Sequence, residues 1–539
     1  MAAQKAKAAT AHESAVKYLQ AGLRLLVEDS WNSQYEVTLA LHEEAAEVAF
    51  LRGDFDLVQK LAEVVQNCAK TLLDKIKVYE VQIQAYMSQN KLLEALNTAL
   101  QVLKLLGVEF PSQVNPSDIE QALGETASIL NGKRIEQLID LPQMSDPYKL
   151  AAMKLLSSIF IPAYVAAPAV LPLTLCKQVD LSVQYGNASV SPFAYANYGF
   201  LLCGVVGDID SGYQFGQLAL SLLSRLNAQE IKAKTVVIVN SFIRHWKEHL
   251  RETLEPLVSV YFSGMETGDL EYASYGLVVY SYFAYFTGKE LTAIEKEMRT
   301  YRDAIYKIKQ ETALNFQEIS WQAVLNLLGR SEDPCRLQGK AYDEHIRLPL
   351  HQQANDNSGV CYLYLNKILF CYLFENYLQG IENTTIAEKY LDGSVGLPVI
   401  PVFHFYDSLV RLAVYSDTPQ LEQQSIVDRV QANQEKMQKW AHHAPMNHLH
   451  KFYLVEAERH RVLGKKLEAM EMYDKAIALA QENEYINEEA LAHELAAKFY
   501  LSWGKETIAQ VYMQNAHYSY QLWGALAKVE DLEKNTPNS

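Results

Sequence analysis

Two stretches near the end of the chain decide its fold: HRVLGKKLEAMEMYDKAIALA (460–480) and YLSWGKETIAQVYMQNAHYSY (500–520). They are the same sentence written twice, 40 residues apart. Gly464 stands twelve residues before Ala476, and Gly504 twelve before Ala516. Each Gly closes one apolar-periodic helix, and each Ala lies inside the next. Ala469, Tyr473, Ala476 and Ala480 form one helical stripe; Ile508, Tyr512, Ala516, Tyr520 and Trp523 form another. A small residue at the turn lets two antiparallel helices reverse and touch, and a small residue within the next helix lets their backbones approach. Repetition at this period predicts hairpins that stack, because no single hairpin can bury its own apolar face.

Working back toward the N-terminus, the grammar recurs with less regular spacing. AAEVAFLRGDFDLVQKLAEVV (45–65) turns at Gly53, and AYMSQNKLLEALNTALQVLKLLG (85–107) turns at Asn90. FLLCGVVGDIDSGYQFGQLAL (200–220) turns at Gly207, with Ala219 again twelve residues on. Weaker copies turn at Gly288 and after Phe374, the last with Ala387 but no Gly. The expected fold is therefore all-α: a tetratricopeptide-like α-solenoid of antiparallel helix pairs with irregular repeats. Pro/Gly clusters at 107–116, 131–147, 329–338 and 393–401 suggest N-terminal (1–110), middle (111–330) and C-terminal (331–539) groups of repeats within one continuous superhelix. Ser117 and Glu120 offer a capping box after the first cluster, and Asp417, Thr418 and Pro419 read as a helix start.

Bulk composition agrees. The 539 residues are 49% apolar and 21% charged, with only 24 Gly and 16 Pro, which suits a packed helical chain better than a turn-rich β protein. A net charge of −16 opposes nucleic acid and anionic membrane as partners. Six scattered cysteines without a CxxC read as reduced core thiols of a cytoplasmic protein. Leu155 to Leu175 is uncharged and long enough to span a bilayer, but Pro162, Pro168 and Pro172 favour a buried, broken helical hairpin.

Catalytic signatures are missing from the sequence. The Gly-Lys pairs at 132, 288 and 504 lack the upstream Gly and following Ser/Thr of a phosphate loop, and no nucleotide-binding, hydrolase-elbow or kinase motif occurs. No catalytic, cofactor or metal residue is expected, and no cofactor. Two histidine-bearing segments stand out. In IRHWKEHLRE, His245 and His249 are four apart on an expected helix, the spacing of a one-face metal pair, but no third ligand is evident. In WAHHAPMNHLHKFYLVEAERH, His442, His443, His448, His450 and His460 surround an expected helix start at Pro445 and Asn447. Packing and turn roles are the plainer reading of both. Their exposed-partner alternative involves His245, Trp246, His249, Trp440, His442, His443 and Asn447. The 33 tyrosines suit hairpin packing, and a patch of them on the concave face is where a peptide or neighbouring domain is expected.

Several long stretches resemble one family: 72–111, 145–159, 204–220, 243–257 and 439–505. Together they are similar to the helical region of the multi-sensor signalling kinases of filamentous cyanobacteria. In that family a serine/threonine kinase and an AAA-type ATPase precede the tetratricopeptide-like region, and GAF sensors and a histidine kinase follow. The resemblance implies a noncatalytic signal-transduction scaffold or adaptor, cytoplasmic, partnered by a protein or by such flanking modules. It also implies a separated middle piece, a truncated product or a split component, with no kinase or ATPase activity of its own. A ligand- or peptide-sensing regulator is the alternative.

Overall fold

A computed structural model describes residues 2–9 and 11–535, and among them it is all-α. Helices follow one another in antiparallel pairs from Tyr35–Leu51 and Phe55–Cys68 to Ile486–Ser502 and Glu506–Trp523. The two repeats around Gly464 and Gly504 form helices Pro445–Val462, Lys466–Glu482, Ile486–Ser502 and Glu506–Trp523.

The hairpin grammar holds, but for a different physical reason at the turn. Gly464 and Gly504 sit at φ 74° and 75°, in the left-handed region, and a Cβ on either would meet nothing within 4 Å. Glycine is used there for its backbone freedom and not for helix contact. Asn90, Lys309, Glu375 and Glu484 reach the same left-handed geometry at φ 55–60° without glycine. The small residue within the next helix does serve packing: Ala219, Ala476 and Ala516 are fully or almost fully buried.

Helices alternate between two environments. Leu270–Phe286, Glu311–Leu327 and Asn357–Leu373 are buried around nearly their whole circumference. Ile209–Leu226, Leu291–Lys307 and Glu506–Trp523 bury one face and expose the other. The first set forms an inner layer and the second an outer one. One apolar core runs without interruption from Ile76 to Leu532, across positions 110 and 330, and a second gathers Ala15 to Ala85 with Leu270.

The chain also comes back over itself. Lys309 Nζ donates to Gly53 O across 256 residues, and Thr312 Oγ1 to Asn90 Oδ1 across 222. His249 Nε2 donates to Asn483 O across 234, and Asn487 Nδ2 to Phe286 O across 201. Successive coils of the solenoid therefore touch along a seam, turn against turn.

That winding brings one group of tyrosines together in the interior. Tyr164, Tyr275, Tyr282 and Tyr362 do face one another with Phe242 and Phe316, but the space left between them is only about 40 Å³. The inner helices fill it. Leu155 to Leu175 is largely buried and broken as expected, over Pro147–Ser158, Phe160–Ala166 and Leu171–Tyr185, the first two bent by 41°. Among the described residues no single helix is long and apolar enough to cross a membrane. Two smaller expectations shift. The capping box lies two residues earlier, with Asp118 accepting from Asn115 N at 2.8 Å and Pro116 in the first helical position. Five cysteines are buried as expected, but Cys68 is exposed.

Candidate functional site

The two histidine-bearing segments, separated by some two hundred residues in the chain, meet at the seam. His245 and His249 do not share a helix face. Arg244–Trp246 and Leu250–Thr253 are single 3-10 turns, and His249 caps the second by accepting from Arg251 N at 3.1 Å. The sharp backbone there points Trp246 and His245 inward and presents carbonyls to the opposing coil.

Asn447, in the first turn of Pro445–Val462, reads those carbonyls. Its Nδ2 donates to His245 O at 2.9 Å and Glu248 O at 2.7 Å, while its Oδ1 accepts from Leu250 N at 3.0 Å and Tyr485 OH at 2.7 Å. An amide carries two donor hydrogens and two acceptor lone pairs, so every capacity of this side chain is used. Around it, the Trp246 and Trp440 rings lie 5.8 Å apart, His249 stacks on Tyr485 at 5.2 Å, and His245 Nε2 donates to Gly396 O at 2.9 Å.

Below this lies a buried charged group. Lys451 Nζ donates to Asn447 O at 2.7 Å and pairs with Glu488 at 3.0 Å, and His450 also contacts Glu488. Burial would push the Glu488 carboxyl up, but Lys451 and His450 outweigh it and hold it low. His245 and His448 are kept neutral. Burial drives His245 down to about 3, and burial followed by the Lys451 charge drives His448 well below its ordinary value. Both ring nitrogens of His448 are buried without a partner. The enclosed space beside it, about 20 Å³, has room for one water.

Five of the seven residues named for a partner surface meet at the junction, and three of those five are buried. His245, Trp246 and Asn447 are 1%, 3% and 4% exposed, because they join two coils of the same chain. His249 and Trp440 are half-buried. His442 remains exposed and His443 partly so, at the edge of an open groove of about 450 Å³ shared with Cys203 and Gly207; His443 lies 3.8 Å from Asp210. Among the described residues no cluster of three or more His, Cys, Asp or Glu side chains is arranged to hold a metal ion. Lys451, Tyr485 and Glu488 are members that sequence reading missed, since none stands in a recognisable motif.

A second, larger feature lies farther along the same seam. A cleft of about 580 Å³ opens between the turns at Ser88–Asn90 and Tyr306–Glu311 and is walled by Glu318, Arg347 and Leu350. Arg347 donates to Glu318 at 2.8 Å, and Arg302 donates to the other oxygen of Glu318 at 3.0 Å.

No protein-family model matches the chain. It is 20% identical over 682 residues to hybrid signal transduction histidine kinase G of Dictyostelium discoideum, a match taking in 99% of this chain and 19% of that protein. The chain thus spans about a fifth of the length of the curated relative it matches. The similarity carries neither a cyanobacterial source nor a tetratricopeptide likeness; what it does give is a distant relationship to a signalling kinase, across essentially the whole chain.

Proposed function

We propose that this chain is a noncatalytic scaffold and relay module of a signalling system, holding kinase, ATPase or sensor modules of the kind that flank the region it resembles. The observation that carries the reading is the Asn447 junction. It locks one coil of the solenoid to the next through three hydrogen bonds, with a fourth to Tyr485 on its own side, so the coils move together, and a displacement imposed on one is delivered to the other. Neutral, enclosed histidines suit such a joint better than proton-transfer chemistry, which needs groups that titrate near the working pH and reach a substrate. The distant relationship to a histidine kinase supports a signalling role for such a joint.

The test is to mix the purified chain with separately produced kinase–ATPase and sensor–histidine kinase modules and follow complex formation by size-exclusion chromatography with light scattering. Co-elution with at least one module is expected, together with no ATP turnover by the chain alone. Turnover or self-phosphorylation by the purified chain, or failure to join either module, would overturn the reading.

A further inference from the structure

We infer that the 580 Å³ cleft on the seam is a docking site for a short acidic peptide segment carrying apolar side chains, supplied by a partner protein. Its size falls within the roughly 300–1,000 Å³ of sites that bury a small ligand or a few residues of extended chain. The inference deepens the scaffold reading and rests on it for its meaning, since it names the kind of partner segment that one part of the scaffold would hold.

Charge selects the occupant. Lys307, Lys309 and Arg347 face two carboxylates, Glu311 and Glu318, which makes the cleft locally positive on a chain whose net charge is −16. The cations are not equally free. Arg347 is spent on Glu318 and Asn315, and Glu318 is fully engaged by Arg347 and Arg302. Lys309 reaches only a backbone carbonyl, Gly53 O at 3.2 Å, and among the described residues Lys307 has no ion pair. Two ammonium groups are thus left at the mouth with no carboxylate. Glu311 lies farther along the wall, where burial raises its carboxyl and the nearby Arg347 and Lys91 charges oppose the rise.

The apolar surroundings complete the recognition. Tyr306 and Leu350 line the cleft yet are 60% and 52% exposed, with Leu314 and Phe55 deeper. A segment that alternates acidic and apolar side chains would meet the lysines with one edge and this surface with the other. The two walls come from different coils, so an occupant bridges the seam and tightens it.

Fluorescence anisotropy on the full chain decides the matter. The probe is a labelled pentapeptide, Glu-Leu-Asp-Phe-Glu, with Lys-Leu-Lys-Phe-Lys as its charge-reversed control. Saturable binding of the acidic probe with Kd below about 1 mM is expected, weakening as salt is raised. The double variant Lys307→Glu/Lys309→Glu should weaken it at least tenfold, and Tyr306→Ala severalfold, with far-UV circular dichroism unchanged. No saturable binding by the wild-type chain, equal binding of the basic probe, or undiminished binding by the double variant would each overturn the proposal. Those outcomes leave the module-binding test untouched. Failure of that test alongside successful peptide binding would remove the scaffold and keep the site.

Discussion

Asn447 shows how much one side chain can carry when all of its hydrogen-bonding capacity is used and three of its four bonds cross between two coils. Replacing it by Leu, similar in volume and without polar atoms, leaves His245 O, Glu248 O, Leu250 N and the Tyr485 hydroxyl unsatisfied in a buried place. The expected loss is about 3 kcal/mol or more, read as a lower urea midpoint at unchanged slope. His448 tests the electrostatics of the same spot. Its folded-state pKa lies well below 6.5, so beneath that pH the unfolded chain takes up a proton that the folded chain refuses, and stability falls as pH falls. Carboxylates raised by burial of their charged end, such as that of the half-buried Glu271, pushed up to about 8, respond in the opposite sense, so the informative quantity is the difference between variant and wild type. His448→Phe removes no hydrogen bond to another group of the protein. It should gain on the wild type by about 1.4 kcal/mol for each pH unit below 6.5, measured as urea midpoints at pH 7.5, 6.0 and 5.0. Both histidine segments were visible in the sequence as oddities, and nothing in either pointed to the other. Their meeting depends on how many helices wind between them, which no local pattern of residues encodes.

At the level of helices and turns, the 40-residue spacing of Gly and Ala was enough to read the hairpins, because left-handed turns and buried small residues leave fixed marks. Turns without glycine were harder. Glu375 and Glu484 hold φ near 60°, a geometry that their side chains do not advertise. Glycines at turns are also not equivalent once the coils stack. Gly504→Ala should cost about 1 kcal/mol from backbone strain alone, since its added methyl meets nothing within 4 Å. Gly288→Ala adds a collision: the new Cβ would stand 2.7 Å from Asn487 Oδ1 and 3.2 Å from its backbone nitrogen. It should cost about 1–3 kcal/mol more, and the order of the two thermal midpoints checks it. The expected helix across 243–252 failed for a reason of the same scale: His249 captures the Arg251 amide, and Asn447 takes the carbonyls that a continuing helix would have used.

For the molecule as a whole, one core from Ile76 to Leu532 makes stability a shared property and not a sum of separate repeats. A fragment of residues 331–539 would lose the partners of Asn447 and of Asn483, and it should show no cooperative thermal transition, whereas the full chain should. Sequence reading reached the solenoid; how tightly the coils close is set by small inclinations accumulated over many helices, and at Tyr164, Tyr275, Tyr282 and Tyr362 the inner helices leave only about 40 Å³. An open array of hairpins is a soft spring that lengthens when its ends are pulled. Here the seam bonds would be loaded in shear before any hairpin could peel. In an optical trap the chain should stay stiff up to one tall first rupture and only then give way in smaller steps, so that it would pass a tug between its ends much as a rod does.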